Sequence, residues 1–111
     1  MAFEKVCSID DLWEGDMAAF DINGERVLVI HADGGEVYAV QGICPHQRFE
    51  LVDGKLEGTA LTCSAHLWQF DVKTGAGINP KRCQLACYPA KILDDDVYVN
   101  TDGIEPLVAS L

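Results

Sequence analysis

Short apolar runs separated by turn residues are the dominant pattern of this chain. The runs are rich in Val, Ile, Tyr, Phe and Ala and have the length of β-strands. They cover residues 18–22, 26–31, 36–40, 60–63, 67–72 and 96–100. The turn signals are Asn23-Gly24, Asp33-Gly34-Gly35, Asp53-Gly54, Thr74-Gly75-Ala76-Gly77 and Asp94-Asp95-Asp96. Because no long segment has a helical period, the pattern predicts an all-β fold, an antiparallel β-sandwich or barrel.

One short helix is predicted near the N-terminus, before the first of these runs. Ser8 and Asp11 have the S-x-x-D spacing that opens a helix, and Gly15 would end it. We expect the apolar residues Leu12 and Trp13 to hold this helix against the core.

Composition and charge narrow the class of protein. The chain has 111 residues, of which 49% are apolar, and this suffices for one compact domain over residues 1–111. Its formal net charge of −10 disfavours nucleic acid and anionic membranes as partners and favours partners with basic docking patches. No apolar run approaches the roughly 20 residues of a membrane span, and the first residues lack the pattern of a secretory signal. We therefore expect a soluble, cytoplasmic protein.

Two short motifs each pair a cysteine with a histidine. Cys44 and His46 lie two positions apart, and Cys63 and His66 lie three apart. A lone cysteine or histidine is usually a buried structural residue, but two such paired motifs are rarely coincidental in a chain with three histidines. The chain has five cysteines, an odd number, and a cytoplasmic protein keeps its thiols reduced. Metal or redox chemistry is therefore favoured over a disulfide framework.

Two kinds of metal site could use these four side chains. A tetrahedral zinc site binds thiolates and imidazoles, but it usually takes both cysteines from one motif and both histidines from the other. In a mixed-ligand [2Fe-2S] cluster, one iron takes both cysteines and the other takes both histidines, so each motif must reach both irons. The spacing favours iron and sulfide, and a zinc-stabilised binding module remains an alternative.

The motifs and the sequence around them resemble a known family. The pattern C-x-H, sixteen residues, C-x-x-H is similar to the Rieske [2Fe-2S] motif. The chain as a whole looks like the Rieske ferredoxin component of bacterial multicomponent toluene and o-xylene monooxygenases. The stretches that carry this resemblance are MAFEKVCSIDDLWEGDM, CPHQ, CSAHLWQFD, GINP and DDDVYVN.

This resemblance implies a fold and a ligand set. The fold would be a Rieske fold, in which both ends of the chain form an antiparallel β-base. A smaller cluster-binding subdomain, made of two ligand-bearing hairpin loops, would cover about residues 42–82. Cys44 and Cys63 would bind the inner iron of a single Rieske [2Fe-2S] cluster, and His46 and His66 would bind the outer iron.

The resemblance also implies a function and partners. The protein would be a monomeric one-electron carrier rather than an enzyme. It would pass electrons from an NADH-dependent flavin and iron–sulfur reductase to the di-iron hydroxylase of an aromatic monooxygenase. A Rieske ferredoxin of a ring-hydroxylating dioxygenase, with the same ligands, is the alternative. Candidate interface residues, chosen by their proximity to the ligands, are Gln47, Arg48, Leu67 and Pro80.

The remaining cysteines, the third histidine and one tryptophan are expected to be structural. Cys83 and Cys87 lie four positions apart, so a strand would place their α-carbons about 13 Å from each other, too far for a disulfide. Cys7 and His31 are expected to pack locally or to face solvent, and Trp68 to pack in the core or at its rim.

Overall fold

Antiparallel β-structure dominates the described fold. The computed structural model of the protein describes residues 3–32, 34–44, 50–63, 68–79 and 84–104. Over these residues the chain forms eleven strands and two short 3-10 turns, without an α-helix. The strands are β1 (Glu4–Ser8), β2 (Met17–Ile22), β3 (Glu25–His31), β4 (Val37–Gln41), β5 (Lys55–Glu57), β6 (Ala60–Thr62), β7 (Gln69–Asp71), β8 (Gly77–Asn79), β9 (Cys87–Tyr88), β10 (Ala90–Leu93) and β11 (Asp96–Val99). The predicted all-β fold is confirmed, and no helix in these residues is long and apolar enough to cross a membrane.

The strands form three antiparallel sheets. The first sheet brings together the two ends of the described chain in the order β1-β11-β10. The second has the order β2-β3-β4-β9, and the third has the order β5-β6-β7-β8. The third sheet is a continuous meander whose strands all fall between residues 42 and 82. The division of the chain into a base and a cluster-binding subdomain stays a prediction.

The second sheet has a buried core on each of its two faces. Val27 and Val29 of β3 pack in the core that the second sheet shares with the first. Leu28 and Ile30, the alternate residues of the same strand, pack in the core shared with the third sheet. Successive side chains of a strand point to opposite faces, so a continuous apolar run is typical of a strand between two layers. The run of four buried residues in β3 therefore places the second sheet between the other two.

Two predicted hairpin turns are confirmed by their backbone angles. Asn23 and Gly24 have φ angles of 52° and 83° and connect the paired ends of β2 and β3. Asp94 and Asp95 have φ angles of 52° and 68° and connect the paired ends of β10 and β11. Two-residue hairpins favour this left-handed backbone, which Asn, Asp and Gly adopt more easily than other residues.

The predicted N-terminal helix is a single 3-10 turn, Ile9–Asp11. Ser8 caps it as expected, because the Ser8 hydroxyl accepts a hydrogen bond from the Asp10 N–H at 3.2 Å. Leu12 is buried as predicted, but the prediction for Trp13 is wrong, since its side chain is 73% exposed. A turn of three residues is too short to direct two successive side chains into one core, and the Trp13 indole N–H instead donates to the Asp10 carbonyl at 3.2 Å.

Sequence reasoning missed five of the eleven strands in the described residues, and all five lie at sheet edges. They are β1, β5, β8, β9 and β10. An edge strand pairs on one side only and commonly carries charged residues that prevent association with other chains. The sequences of β1 (EKVCS) and β5 (KLE) show this composition. The apolar alternation that predicts strands is therefore weakest at the sheet edges.

Tyr88 in β9 introduces a polar group into the core between the first two sheets. Its side chain is only 4% exposed, and its hydroxyl has no hydrogen-bond partner among the described residues. Burial, with a smaller contribution from Glu25, raises the pKa of Tyr88 to about 12. The unfolded chain ionises at its ordinary pKa near 10, so the folded state becomes less stable as the pH rises from about 10 to about 12.

We predict that Tyr88→Phe removes this alkaline loss of stability. The wild-type protein should lose about 1.4 kcal/mol of unfolding free energy per pH unit, relative to the variant, over that window. Near neutral pH the variant should be equally or more stable, because it lacks a buried hydroxyl without a partner. Urea unfolding of both proteins between about pH 8 and about pH 11 measures the difference. A difference that does not change with pH would contradict the prediction.

Candidate metal centre

The structure describes two of the four predicted ligands. Cys44 and Cys63 lie within the described residues, whereas His46 and His66 lie outside them. The candidate interface residues Gln47, Arg48, Leu67 and Pro80 also lie outside the described residues. The complete ligand set therefore stays a prediction.

Backbone pairing holds together the two ends of the segment that begins with Cys44. Ile43 and Glu50 form an antiparallel bridge. The Leu51 N–H then donates to the Gly42 carbonyl at 2.8 Å. Cys44 directly follows Ile43 of this bridge, so the backbone that leads into the first motif is held by pairing with the backbone that leaves it.

Cys63 occupies an equivalent position after β6. Its N–H donates to the Trp68 carbonyl at 2.7 Å, next to the paired residues Thr62 and Gln69 of the β6–β7 ladder. The interval 64–67 therefore also begins and ends on paired backbone. Each cysteine–histidine motif starts with a cysteine that follows directly on a sheet pairing.

Both cysteine side chains lie in one apolar cluster. Cys44 is 3% exposed and Cys63 is 1% exposed, and their neighbours in the cluster include Leu61, Phe70 and Leu85. Two buried thiols in apolar surroundings suit a soft metal centre that is shielded from water. Within the described ranges no three His, Cys, Asp or Glu side chains form a metal site, so a centre at these thiols needs ligands from beyond those ranges.

Trp68 packs against the same apolar cluster, in agreement with the prediction of core or rim packing. Its side chain is half-buried and contacts the cluster that contains Cys44 and Cys63. Its carbonyl accepts the hydrogen bond from Cys63 described above. Trp68 therefore both covers the apolar cluster and closes the backbone around the second motif.

Arg26 connects β3 to the base of the first motif. Its carbonyl accepts a hydrogen bond from the Gly42 N–H at 2.7 Å. Its guanidinium donates from Nε to Glu50 at 2.9 Å and from Nη1 to Asp21 at 3.3 Å. The hydrogen bond to Glu50 is the main cause that raises the pKa of Arg26 above its ordinary value. Both residues that flank the first motif, Gly42 and Glu50, are thus held by one arginine.

Cys7 and His31 are half-buried, as expected, and Cys87 is exposed, whereas Cys83 lies outside the described residues. Burial, with smaller effects of Asp11 and Asp96, raises the pKa of the Cys7 thiol, and burial and then Asp71 raise that of Cys87. Because the thiolate is the metal ligand, both groups are poorer ligands than ordinary cysteines. His31 is half-buried, with its Nδ1 lying 2.8 Å from the Leu12 carbonyl.

Sequence reasoning missed the contributions of Arg26, Gly42 and Glu50. Arg26 has no motif spacing to the cysteines, because its contact with Gly42 depends on the pairing of β3 and β4. Gly42 did carry a signal, since a glycine directly after an apolar run often marks a close approach of two backbones. A Cβ added at Gly42 would lie 2.8 Å from Arg26 Cγ and 3.1 Å from the Arg26 carbonyl oxygen.

Comparison with known proteins identifies a family and the same fold. A family model described as the Rieske [2Fe-2S] domain matches residues 2–89. The ferredoxin component of an alkene monooxygenase system from Xanthobacter autotrophicus is 44% identical over 106 residues, which cover 95% of this chain and 84% of that protein. A solved ferredoxin of carbazole 1,9a-dioxygenase from Nocardioides aromaticivorans has a TM-score of 0.83 and 29% identity, covering 89% of this chain and 97% of that one.

A further solved structure is a complex of reduced oxygenase and oxidized ferredoxin in carbazole 1,9a-dioxygenase. One of its chains has a TM-score of 0.81 and 27% identity to this protein, and the match covers 87% of this chain and 91% of that chain. Because the match covers most of both chains, the similarity in fold extends over nearly the whole of that chain.

We predict that Gly42→Ala destabilises the protein by about 1–3 kcal/mol, because the added methyl group overlaps Arg26. Urea unfolding followed by circular dichroism measures this loss. In an Arg26→Ala background the loss should be smaller, because the nearest atom, Arg26 Cγ, is absent, while the contact with the carbonyl oxygen remains. If Gly42→Ala lowered the unfolding free energy equally in both backgrounds, the overlap with the Arg26 side chain would contribute nothing to the loss, and the prediction would be wrong.

Proposed function

This chain belongs to the Rieske [2Fe-2S] family, and we propose that it is the ferredoxin of a multicomponent monooxygenase that acts on aromatic hydrocarbons. The protein is a Rieske-type electron-transfer protein, and its cofactor is one [2Fe-2S] cluster. The observation that carries the proposal is that the thiols of Cys44 and Cys63 are both buried in one apolar cluster. Each of them begins a motif that also contains a histidine.

We propose that Cys44 and Cys63 hold the inner iron of the cluster, and that His46 and His66 hold the outer iron. Both cysteines fit this role, because thiolate is the ligand of the inner iron in Rieske centres and both side chains are sheltered from water. When bound, such a cluster takes up and releases one electron at a time. The chain contributes the ligands, the apolar surroundings of the sulfurs and the backbone pairings that hold both cysteines in place.

The proposed electron donor is an NADH-dependent flavin and iron–sulfur reductase, and the proposed acceptor is a di-iron hydroxylase of the toluene or o-xylene type. The monooxygenase relative supports an acceptor of the monooxygenase class, and the solved complex of an oxygenase with a ferredoxin supports direct docking on the oxygenase. The proposed carrier is a cytoplasmic monomer in which residues 42–82 form the cluster-binding part.

A ring-hydroxylating dioxygenase is the second candidate for the electron acceptor. The solved relative from carbazole 1,9a-dioxygenase favours it at 29% identity, and so does the ferredoxin component of a biphenyl 2,3-dioxygenase from Rhodococcus jostii at 38% identity, against 44% for the relative from the monooxygenase system. Reconstitution of the reduced protein with purified hydroxylases of both classes distinguishes the two candidates. Faster product formation with the dioxygenase would contradict the monooxygenase assignment.

We predict that purified protein contains iron and inorganic sulfide in equal amounts, and that Cys44→Ser and Cys63→Ser lose most of both. Serine does not replace a buried thiolate as a soft ligand. Cys87→Ser is the matched control, because Cys87 lies exposed at a sheet edge and should leave the metal content unchanged. Metal and sulfide analysis, with an EPR spectrum of the dithionite-reduced protein, gives the result. A colourless wild-type protein that contains zinc would instead support the zinc-stabilised binding module.

We predict that electron transfer with both protein partners slows as the salt concentration rises. An acidic carrier with a net charge of −10 attracts a basic docking patch from a distance. This attraction weakens because the Debye length shrinks from about 10 Å at 0.1 M salt to about 3 Å at 1 M. Stopped-flow reduction by the reductase measures the effect, and reduction by an uncharged small mediator is the control. Equal salt dependence of the two reactions would contradict electrostatic attraction of the partner.

A further inference from the structure

Gln41, the last residue of β4, is a polar side chain buried beside the first motif. It is 1% exposed and lies three positions before Cys44. Its amide Nε2 donates to the Ile43 carbonyl at 2.9 Å, and its Oε1 accepts from the Ala86 N–H at 2.7 Å. Its backbone N–H also donates to the Ala86 carbonyl at 3.0 Å. Gln41 therefore connects two backbone segments that are distant in sequence.

An amide at this position is not explained by packing alone. Burying a polar group is unfavourable unless it forms hydrogen bonds, and ordering a long side chain has an entropic cost. The preceding strand residues Ala39 and Val40 are buried and apolar, so an apolar residue at position 41 would be the simpler solution for the core. What the amide adds is a specific link from the peptide group just before Cys44 to residue 86.

The segment around Ala86 is in turn fixed to the sheet that contains Cys63. The Leu85 N–H donates to the Gly75 carbonyl at 2.8 Å, and Ala76 forms an antiparallel bridge with Gln84. Gly75 lies between β7 and β8, the strands that continue from the second motif. The two side-chain hydrogen bonds of Gln41 thus connect the Ile43 backbone, just before Cys44, to Ala86. The neighbouring residues 84 and 85 continue this connection to the third sheet, which carries the second motif.

The geometry of one peptide group makes this link relevant to the metal centre. The carbonyl of Ile43 and the N–H of Cys44 belong to the same planar peptide unit. A hydrogen bond that fixes the direction of the carbonyl therefore also fixes the direction of the Cys44 N–H. Hydrogen bonds and dipoles near the ligand sulfurs are among the factors that set the reduction potential of iron–sulfur clusters.

We propose that Gln41 is a positioning residue for the cluster, acting through the Ile43–Cys44 peptide and through Ala86. It holds the first cysteine in a defined position relative to the sheet of the second and orients the peptide dipole beside the Cys44 sulfur. The stability of the bound cluster and its potential then depend on Gln41, although Gln41 does not bind iron. This inference rests on the proposed function.

Gln41→Met tests the proposal, because methionine has a similar length and can neither donate to Ile43 nor accept strongly from Ala86. We expect the variant to release its iron to a chelator about 10-fold faster than wild type, the lower end of the usual effect of losing an outer-shell partner. In a solution poised at the midpoint potential of the wild type, the wild-type protein is half reduced. The variant should not be half reduced there, so the ratio of its oxidised to its reduced form should differ from one. A variant with wild-type iron release and an unchanged ratio, but a lower unfolding midpoint, would show that Gln41 only stabilises the fold.

Thr101→Val is the matched control, since Thr101 is another buried polar side chain of the described residues. Its hydroxyl accepts from Asn23 Nδ2 at 3.4 Å, in the β2–β3 turn, outside the apolar cluster of Cys44. The control should lower the unfolding midpoint and leave iron release and the redox ratio unchanged. If Thr101→Val changed both as much as Gln41→Met does, the effect would be general and the proposal would be wrong.

Gln41→Glu provides a second variant if Gln41→Met does not fold. At a pH at which the glutamate is ionised, its carboxylate accepts from the Ala86 N–H and cannot donate to the Ile43 carbonyl, so iron release is compared at such a pH. Faster iron release than wild type supports the proposal, and a wild-type rate contradicts it. Wild-type protein without iron and sulfide would contradict the proposed function itself, whereas iron-loaded variants with wild-type behaviour would contradict only the role of Gln41.

Discussion

The pairing of backbone on both sides of each cysteine–histidine motif is the constraint on which the rest of the structure depends. The Leu51–Gly42 hydrogen bond closes the first motif and the Cys63–Trp68 hydrogen bond closes the second. Neither cysteine could stay inside the apolar cluster if these pairings opened, because its backbone would then be free to turn toward water. If Cys44 and Cys63 are the cluster ligands proposed above, formation of the sheets also builds their part of the metal centre.

The layered arrangement explains how so short a chain keeps two thiols dry. β3 supplies apolar side chains to both faces of the second sheet, so the layers share one strand and each core needs few residues of its own. Because β3 is buried on both sides, it is also a rigid support for Arg26, which holds Gly42 and Glu50. The position of the first motif thus follows from the best-packed strand of the molecule.

Local signals predicted the parts of the fold that local chemistry decides. The Asn23-Gly24 turn, the Asp94-Asp95 turn and the central strands follow from residue preferences that act within a few positions. The edge strands, the exposed side chain of Trp13 and the role of Gln41 depend on neighbours that are remote in sequence, so local patterns could not reveal them. The two cysteines of the predicted site were found from spacing, and their shared apolar cluster is a property of the fold alone.

On the proposed function, binding the cluster and choosing a partner would use different parts of the chain. The residues around Cys44 and Cys63 are apolar and buried, whereas the charged residues that give the net charge of −10 lie mostly outside the two cores. Substitution of surface charges therefore leaves the cysteine surroundings intact, and substitution in the cores endangers them. A relative from a dioxygenase system has the same fold, with a TM-score of 0.83, at only 29% identity. A fold that stays constant while most residues change is expected when buried and exposed residues have separate roles. On this argument, the specificity of such carriers changes through exposed residues while the construction around the cysteines stays the same.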